Sequence, residues 1–509
     1  MKNRSKFRSA ALSTALLTAL LAGCGGDNPE TLITSGKEFL AKNDSKSAVI
    51  QLKNALQQNP NLGEARFLLG KALLESADAA GAEVELRKAL ELKYNAEQTV
   101  PLLARALLST GQAKKITDEF SNIEVLAGEP TANLKTILSA AYQAQGNPEA
   151  AQAALSAALA AQPDYAPALL ASARLKAANR DFDGSLAIVD GILAKSPKDP
   201  EALLLKGSLA SIQNDQTGAL ELYRKAVEAK PDFLLAHSAI ISGLMQQGKI
   251  DDAVKQLEAL KKVAPKHPQT IYLDTQLTYQ RKDYKTAKEL AQQLLKISPN
   301  NPNALQIAGA IEYQLGSYVQ AESHLNKALQ LAPEMTLARR LLVSNYLRTG
   351  QSGKAMSTLT PVIGKIDKDP ALLALAGQTF LQNGDAKKAE EYFSKASKLD
   401  PNDPAKRTSL AITHMALGDM NAGFSELEQI SASDKGTSAD LALISAHLRR
   451  NDLDKALKAI DSLEKKQPDN PATYNLRART LLAKKDVAGA RASFEKALSI
   501  SPAFLPAAA

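Results

Sequence analysis

The chain has 509 residues, a formal net charge of +8, 5% aromatic residues and a single cysteine. One cysteine excludes a disulfide within the chain, and the four cations among the first eight residues account for half of the net charge. The remaining excess is too small to indicate a nucleic-acid-binding protein, and the low aromatic content favours a core of alanine and leucine over that of an aromatic-rich enzyme.

The first 23 residues have the pattern of a bacterial secretory signal. Basic residues at positions 2, 4, 6 and 8 precede the mostly apolar stretch 10–22, which is shorter than the ~20 residues needed to span a bilayer. The sequence Leu-Ala-Gly-Cys that ends at Cys24 resembles the lipoprotein cleavage box. We therefore expect a signal peptide over residues 1–23, lipidation of Cys24 and a short tether over residues 24–28. An ordinary buried cysteine is the alternative.

The residue after Cys24 bears on the choice of membrane. In the lipoproteins of Gram-negative bacteria that this box resembles, an aspartate directly after the lipidated cysteine retains the protein at the inner membrane. Gly25 occupies that position here. The resemblance therefore implies a lipid-anchored, periplasm-facing protein on the inner leaflet of the outer membrane rather than on the inner membrane.

Prolines recur every 34 residues along most of the chain. The series comprises Pro163, Pro197, Pro231, Pro265, Pro299 and Pro333, followed two steps later by Pro401. With each ladder proline as position 32, and with the frame extended outward, fourteen units begin near residues 29, 63, 97, 132, 166, 200, 234, 268, 302, 336, 370, 404, 437 and 471. The period slips by one residue before 132 and before 437. Only a repeated structural unit keeps such a period.

Each unit has the residue pattern of two helices joined by a turn. Small residues recur at positions 8 and 20, a turn residue at 15 and a proline at 32. In the unit that begins at residue 302 these are Gly309, Ala321, Gly316 and Pro333. Small residues allow two helices to approach closely, a glycine enters the left-handed turn without penalty, and proline ends the second helix.

This pattern resembles the tetratricopeptide repeat. The resemblance implies an all-α fold, a right-handed α-solenoid of about 14 tetratricopeptide helix-turn-helix repeats over residues 29–504, with residues 505–509 as the start of a truncated further repeat. Such an array offers a long binding surface and brings no catalytic machinery of its own, so we do not expect an enzyme.

Three segments near the N-terminus narrow the family. Residues 35–60, 64–74 and 100–108 resemble the tetratricopeptide-repeat lipoprotein of the PEP-CTERM/exosortase system, which is encoded beside exopolysaccharide export genes. The resemblance implies a protein-protein interaction scaffold for exopolysaccharide export or PEP-CTERM protein sorting, with other envelope proteins as partners.

No motif in the chain predicts catalytic chemistry. Residues Gly243–Lys249 match the first seven positions of a phosphate-binding loop, but Ile250 stands where a serine or threonine should hold magnesium. His414 and His447 share one position of neighbouring units, where packing is the natural role, since a zinc site needs further ligands. We expect no catalytic, cofactor-binding or metal-binding residues.

One group of polar and aromatic residues is a candidate ligand-binding stripe. Positions 2, 5, 9, 12 and 13 of the first helix normally face the concave side of such arrays. In the units at 268, 302 and 336 they supply Tyr272, Gln276, Tyr279, Gln306, Tyr313, Gln314, Arg340 and Arg348. Tyrosine and arginine are prominent in binding hot spots, but these side chains could equally only solvate the groove. The stripe also supports a second hypothesis, a carbohydrate-binding module of the export machinery.

Overall fold

The computed structural model describes residues 28–123, 128–504 and 506, and this part of the chain is built from helices and short connections. It contains 28 α-helices, one short 3-10 helix and no strand, which confirms the predicted all-α fold. None of these helices is both long enough and apolar enough to cross a bilayer. The predicted signal peptide 1–23 and Cys24 lie outside the described residues.

The chain divides into two compact units after Gln247. The helices of the first unit are α1 (Pro29–Ala41), α2 (Ser45–Gln58), α3 (Gly63–Glu75), α4 (Ala79–Glu91), α5 (Ala96–Ser109), α6 (Ala113–Phe120), α7 (Glu129–Ala144), α8 (Pro148–Ala161), α9 (Ala166–Ala178), α10 (Phe182–Lys195), α11 (Pro200–Ile212), α12 (Gln216–Ala229) and α13 (Leu234–Gln246). Helices α1 to α12 pack as six consecutive hairpins, and neighbouring hairpins also contact one another.

The second unit continues the same pattern. Its helices are α14 (Ile250–Val263), α15 (Pro268–Gln280), α16 (Tyr284–Ile297), α17 (Pro302–Gln314), α18 (Tyr318–Leu331), α19 (Thr336–Arg348), α20 (Ser352–Leu359), α21 (Pro370–Gln382), α22 (Ala386–Leu399), α23 (Pro404–Ala416), α24 (Met420–Ser433), α25 (Ser438–Arg449), α26 (Leu453–Lys466), α27 (Pro471–Ala483) and α28 (Val487–Ile500). Helices α15 to α28 form seven hairpins. The predicted start of a further repeat at residues 505–509 falls, apart from residue 506, outside the described residues.

A left-handed residue lies at position 15 of every repeat. Its φ is positive in all fourteen repeats, although only seven of these residues are glycine. The next residue closes one helix and opens the other. In the first hairpin the N–H of Asp44 donates to the carbonyl of Phe39 (2.9 Å), and the Asp44 carboxylate accepts from the N–H of Ser47. The turn is therefore set by capping at both helix ends, and glycine is only one way to supply it.

Five hairpins show size complementarity between positions 8 and 24. Five glycines at position 8 lie against a large side chain sixteen residues later, so that an added Cβ would come within 2.9 Å of it. The pairs are Gly36 with Leu52, Gly70 with Leu86, Gly207 with Tyr223, Gly309 with Leu325 and Gly377 with Phe393. The large residue at position 24 thus fills the space that the missing side chain leaves.

A second recurrent contact joins one repeat to the next. At four junctions, a side chain at position 4 of a repeat bonds to the carbonyl of the ladder proline that ends the previous repeat. The pairs are Arg66 with Pro60, His237 with Pro231, Arg339 with Pro333 and Tyr474 with Pro468, at 3.0, 2.9, 2.6 and 2.9 Å. We call this contact the proline latch. It gives a hydrogen-bond partner to a carbonyl in the connection between two helices, two residues past the end of the preceding helix.

Two second helices are shorter than the others. Helices α6 and α20 have eight residues each, against thirteen or fourteen in the other second helices. In the repeat that begins at residue 336 the cause is Pro361, which lacks the N–H that would continue the ladder of helix hydrogen bonds. A 3-10 helix over Ile363–Lys365 then leads to α21.

Candidate functional site

Tyrosines of two adjacent repeats form a ladder where the first helix of each hairpin meets the second. Tyr279 at the end of α15 packs against Tyr284 at the start of α16, with ring centroids 5.4 Å apart. Tyr313 and Tyr318 repeat this pair 34 residues later, in an edge-to-face arrangement at 5.9 Å. Each ring remains half-buried. Aromatic pairs of this geometry add to the stability of the hairpin beyond the area they bury.

The next repeat supplies a polar side chain to each tyrosine pair. The amide of Gln314 on α17 donates to the Tyr279 hydroxyl at 3.4 Å. The guanidinium of Arg348 on α19 donates to the Tyr318 hydroxyl at 2.6 Å and lies 5.9 Å from the centroid of that ring. We call these six side chains the tyrosine ladder. The structure therefore brings four of the predicted stripe residues together: Tyr279, Tyr313, Gln314 and Arg348.

Tyr272 and Gln276 form a separate pair one turn apart on α15. The Gln276 amide donates to the Tyr272 hydroxyl at 3.0 Å. Burial raises the pKa of the Tyr272 phenol, and the hydrogen bond from Gln276 offsets only part of this effect. The hydroxyl is therefore neutral at physiological pH. Gln306 is half-buried on α17 and belongs neither to this pair nor to the ladder.

Arg340 makes an ion pair within the chain. Its guanidinium donates to the carboxylate of Asp369 at 2.6 Å, and the same carboxylate accepts from the N–H groups of Ala371 and Leu372 at the start of α21. Burial alone would raise the pKa of Asp369, but Arg340 and the two amides outweigh it and hold that pKa below its ordinary value. Arg340 thus links α19 to the cap of α21.

Three residues of this region were not among the residues predicted from the sequence. Tyr284 and Tyr318 lie at position 17 of their repeats, and Asp369 precedes α21. Only first-helix positions entered the candidate stripe, whereas position 17 opens the second helix. The 34-residue spacing of the two tyrosines is visible in the sequence and could have found them.

A groove across three first helices is a second candidate surface, in the first compact unit. Its cavity measures about 470 Å³. It is lined by Thr136, Ser139, Ala140 and Gln143 of α7, by Ala166, Pro167, Leu170, Ala171 and Arg174 of α9, and by Asp199, Pro200 and Glu201 before and on α11. Most of these residues occupy positions 2, 5, 9 and 12, which are the positions expected on the concave face. The three alanines of the lining have small side chains, and this leaves part of the groove open.

The groove combines apolar walls with polar groups of both signs. Arg174 and Glu201 form a half-exposed ion pair at 2.9 Å. The Ser139 hydroxyl is fully buried and has no hydrogen-bond partner in the described structure. An unsatisfied buried hydroxyl costs free energy, and this one lies beneath the surface of the groove. A polypeptide segment with mixed side chains suits this lining.

Metal-binding chemistry has no support in the described part of the chain. No three His, Cys, Asp or Glu residues cluster there in a way that could hold an ion. His414 instead contacts the Glu426 carboxylate at 3.0 Å, and His447 stacks on Phe424 with centroids 4.5 Å apart. Gly248, in the segment that resembles a phosphate-binding loop, is the left-handed residue between α13 and α14, with a φ of 71°.

Comparisons with known proteins identify the repeat. Family models described as tetratricopeptide repeat match residues 142–209, 200–233, 312–378, 370–403 and 441–503. A model described as anaphase-promoting complex, cyclosome, subunit 3 matches residues 246–328. No curated protein matches the chain.

Two solved structures are similar to the chain. A chain of the APC/C hetero-tetramer Cut9-Hcn1 is 15% identical with a TM-score of 0.53, and the similarity covers 98% of each chain. A tetratricopeptide repeat protein from Parabacteroides merdae ATCC 43184 is 18% identical with a TM-score of 0.39, over 48% of this chain and 97% of that one. At such identities the likeness of the first structure concerns the fold alone.

Proposed function

The chain is a tetratricopeptide-repeat protein, and on that basis we propose that it is a lipid-anchored scaffold that binds other proteins of the bacterial envelope. The observation that carries this proposal is the groove on α7, α9 and α11, because it lies on the expected binding positions of three successive repeats. Apolar walls and the Arg174–Glu201 pair together suit a polypeptide ligand. Repeat arrays typically bind through such extended surfaces.

The proposal places the scaffold in exopolysaccharide export or PEP-CTERM protein sorting. Its support is the resemblance of residues 35–60, 64–74 and 100–108 to the tetratricopeptide-repeat lipoprotein of that system. We propose the inner leaflet of the outer membrane as its location, because Gly25 follows Cys24. Its partners are then periplasmic or membrane-bound proteins of the export machinery.

Filling the groove should abolish partner binding. Ala140 is half-buried in the groove wall, so Ala140→Phe is expected to occupy the cavity and reduce capture of partner proteins at least about tenfold, equivalent to about 1.4 kcal/mol of binding free energy. The measurement is quantitative mass spectrometry of proteins cross-linked to the tagged chain in intact cells. Ala157→Phe is the matched control, because Ala157 is exposed on α8 and outside the groove. Equal capture by both variants would contradict the proposal.

The anchor has its own test. Cys24→Ser removes the thiol that would carry the diacylglyceryl group, so we expect complete loss of metabolic labelling with palmitate and release of the protein from the membrane fraction. The control is wild-type chain from cells treated with globomycin, which should accumulate as the unprocessed form. Palmitate labelling of the serine variant would rule out Cys24 as the attachment point.

Polysaccharide binding is the second candidate function. The tyrosine ladder favours it, because half-buried rings repeated at 34-residue spacing offer flat faces beside the amide of Gln314 and the guanidinium of Arg348. Retention of the purified chain on immobilised exopolysaccharide, and its loss with Tyr279→Ala plus Tyr313→Ala, distinguishes this function from the scaffold.

A further inference from the structure

Two arginines at the same position of different repeats differ in whether a carboxylate accepts a hydrogen bond from the guanidinium. Arg66 and Arg339 both occupy position 4 of their repeats, and both make the proline latch. In the second repeat, the other arm of the Arg66 guanidinium donates to the carboxylate of Glu85 at 2.5 Å. In the tenth repeat, the position of Glu85 is occupied by Thr358. Arg339 therefore has the latch of Arg66 without its carboxylate.

Two backbone carbonyls accept hydrogen bonds from the Arg339 guanidinium in place of that carboxylate. Because α20 ends at Leu359, ahead of Pro361, the carbonyl of Thr358 is left outside the helix hydrogen-bond ladder. Arg339 donates to this carbonyl at 2.7 Å and to the carbonyl of Pro333 at 2.6 Å. Two carbonyl dipoles accept two of the five N–H groups of the guanidinium, but they carry no negative charge.

Arg339 is a buried cation without an anionic partner. Only 8% of the residue is exposed, and no carboxylate of the described residues lies within 4.0 Å of its guanidinium. Burial lowers the pKa of Arg339, although an arginine stays charged under any physiological condition. A buried charge without a counter-charge is costly.

A cavity of about 470 Å³ opens beside this cation. Its apolar wall includes Leu329 and Leu342, and its polar lining includes Tyr346, Lys354 and Thr358. The Lys354 ammonium lies 5.4 Å from the centroid of the Tyr346 ring and is paired with Glu322 at 3.0 Å, outside the lining. The charges that line the cavity are therefore both positive.

The repeat before this one has a similar groove but no arginine at position 4, where Leu305 stands. A similar cavity, of about 490 Å³, is lined by residues 34 positions earlier in the chain, including Leu295, Ala308 and Glu312. Glu312 occupies the position of Tyr346, is buried, and pairs with Lys288 at 2.9 Å. The Glu312 carboxylate therefore balances a lysine, whereas in the second repeat Glu85 balances the arginine itself. Beside Arg339, Glu322 balances Lys354, and Arg339 is left without a counter-charge.

We propose that the cavity beside Arg339 binds the carboxylate of a glutamate or aspartate side chain from a bound polypeptide. The carboxylate would accept N–H groups of Arg339, as Glu85 accepts from Arg66, while the aliphatic part of the ligand packs on Leu329 and Leu342. Bonds from a guanidinium to a carboxylate are among the strongest in proteins. This inference rests on the proposed scaffold function, since a partner protein supplies the acidic side chain.

The test uses the full-length chain and an array of ten-residue peptides. Each peptide is present in two forms, one with glutamate and aspartate, the other with glutamine and asparagine in their place. Wild type is expected to bind a subset of the acidic forms at least tenfold more strongly than their amide forms. Arg339→Met should abolish that preference. The preference would be absent from the wild type if the proposal were wrong.

The Thr358→Glu variant distinguishes loss of the binding site from unfolding of the protein. This change gives Arg339 a carboxylate partner within the chain, at the position that Glu85 occupies in the second repeat. It should therefore abolish acid-dependent binding and at the same time raise the urea midpoint of unfolding. Acid-dependent binding that survives in Thr358→Glu would overturn the proposal. If the array gives no acid preference while Ala140→Phe still abolishes capture of envelope proteins, the scaffold stands and the carboxylate site does not.

Discussion

Gly309→Thr is expected to destabilise the second compact unit, and Leu325→Ala in the same molecule is expected to recover much of the loss. A Cβ at position 309 would lie 2.6 Å from Cγ of Leu325, so the single threonine overpacks the hairpin at a cost of about 1–3 kcal/mol. Leu325→Ala alone should cost about 2–5 kcal/mol, because it leaves a cavity. The preceding repeat carries this combination naturally, with Thr275 and Ala291 buried at the same two positions.

The experiment is a double-mutant cycle of urea unfolding followed by circular dichroism. The double variant should be more stable than the sum of the two single effects predicts, because each change relieves the defect of the other. Gly353→Thr is the matched control, since nothing lies within 4 Å of a Cβ added there. Strict additivity of the two single effects would show that positions 8 and 24 do not share one packing space.

Lys466→Met is expected to be among the most destabilising single substitutions in the chain. The Lys466 ammonium donates to Asp440 at 2.6 Å and to the carbonyls of Ser431 and Gly436 at 2.7 and 3.1 Å. Asp440 is fully buried, so removing the ammonium leaves a carboxylate without its counter-charge. The expected loss is about 3–5 kcal/mol.

Two companion variants make this result specific. Asp440→Leu combined with Lys466→Met should be more stable than Lys466→Met alone, because the stranded charge is removed along with its partner. Lys465→Met is the control, because Lys465 is exposed on the same helix and should change stability by less than about 0.5 kcal/mol. If Lys466→Met matched Lys465→Met in its urea midpoint, the buried pair would not contribute to stability.

The helices were predictable because their determinants are local. Caps, small residues and ladder prolines act within one repeat, so position in the sequence is enough to place them. Helix α20 shows the limit: Pro361 lies inside the segment where a second helix was expected and shortens it. A single off-period proline outweighs the pattern of its repeat.

The candidate stripe was harder to predict, because side-chain partners come from other repeats. Arg340 appeared as a residue open to ligands, but in the structure it holds Asp369, 29 residues later. Tyr279 and Tyr313 pack on Tyr284 and Tyr318 of the following helices. No sequence pattern predicted the groove on α7, α9 and α11. Its volume depends partly on alanines, and small residues are common throughout the chain.

The proline latch is a local contact at the boundary between two repeats. Donor and acceptor lie six residues apart, so one short stretch of sequence carries the whole contact. The latch itself needs no residue from elsewhere in the array, while neighbouring hairpins also pack on one another. At these four junctions the boundary contact is therefore encoded in one short segment, and it stays with a repeat that keeps the proline before it.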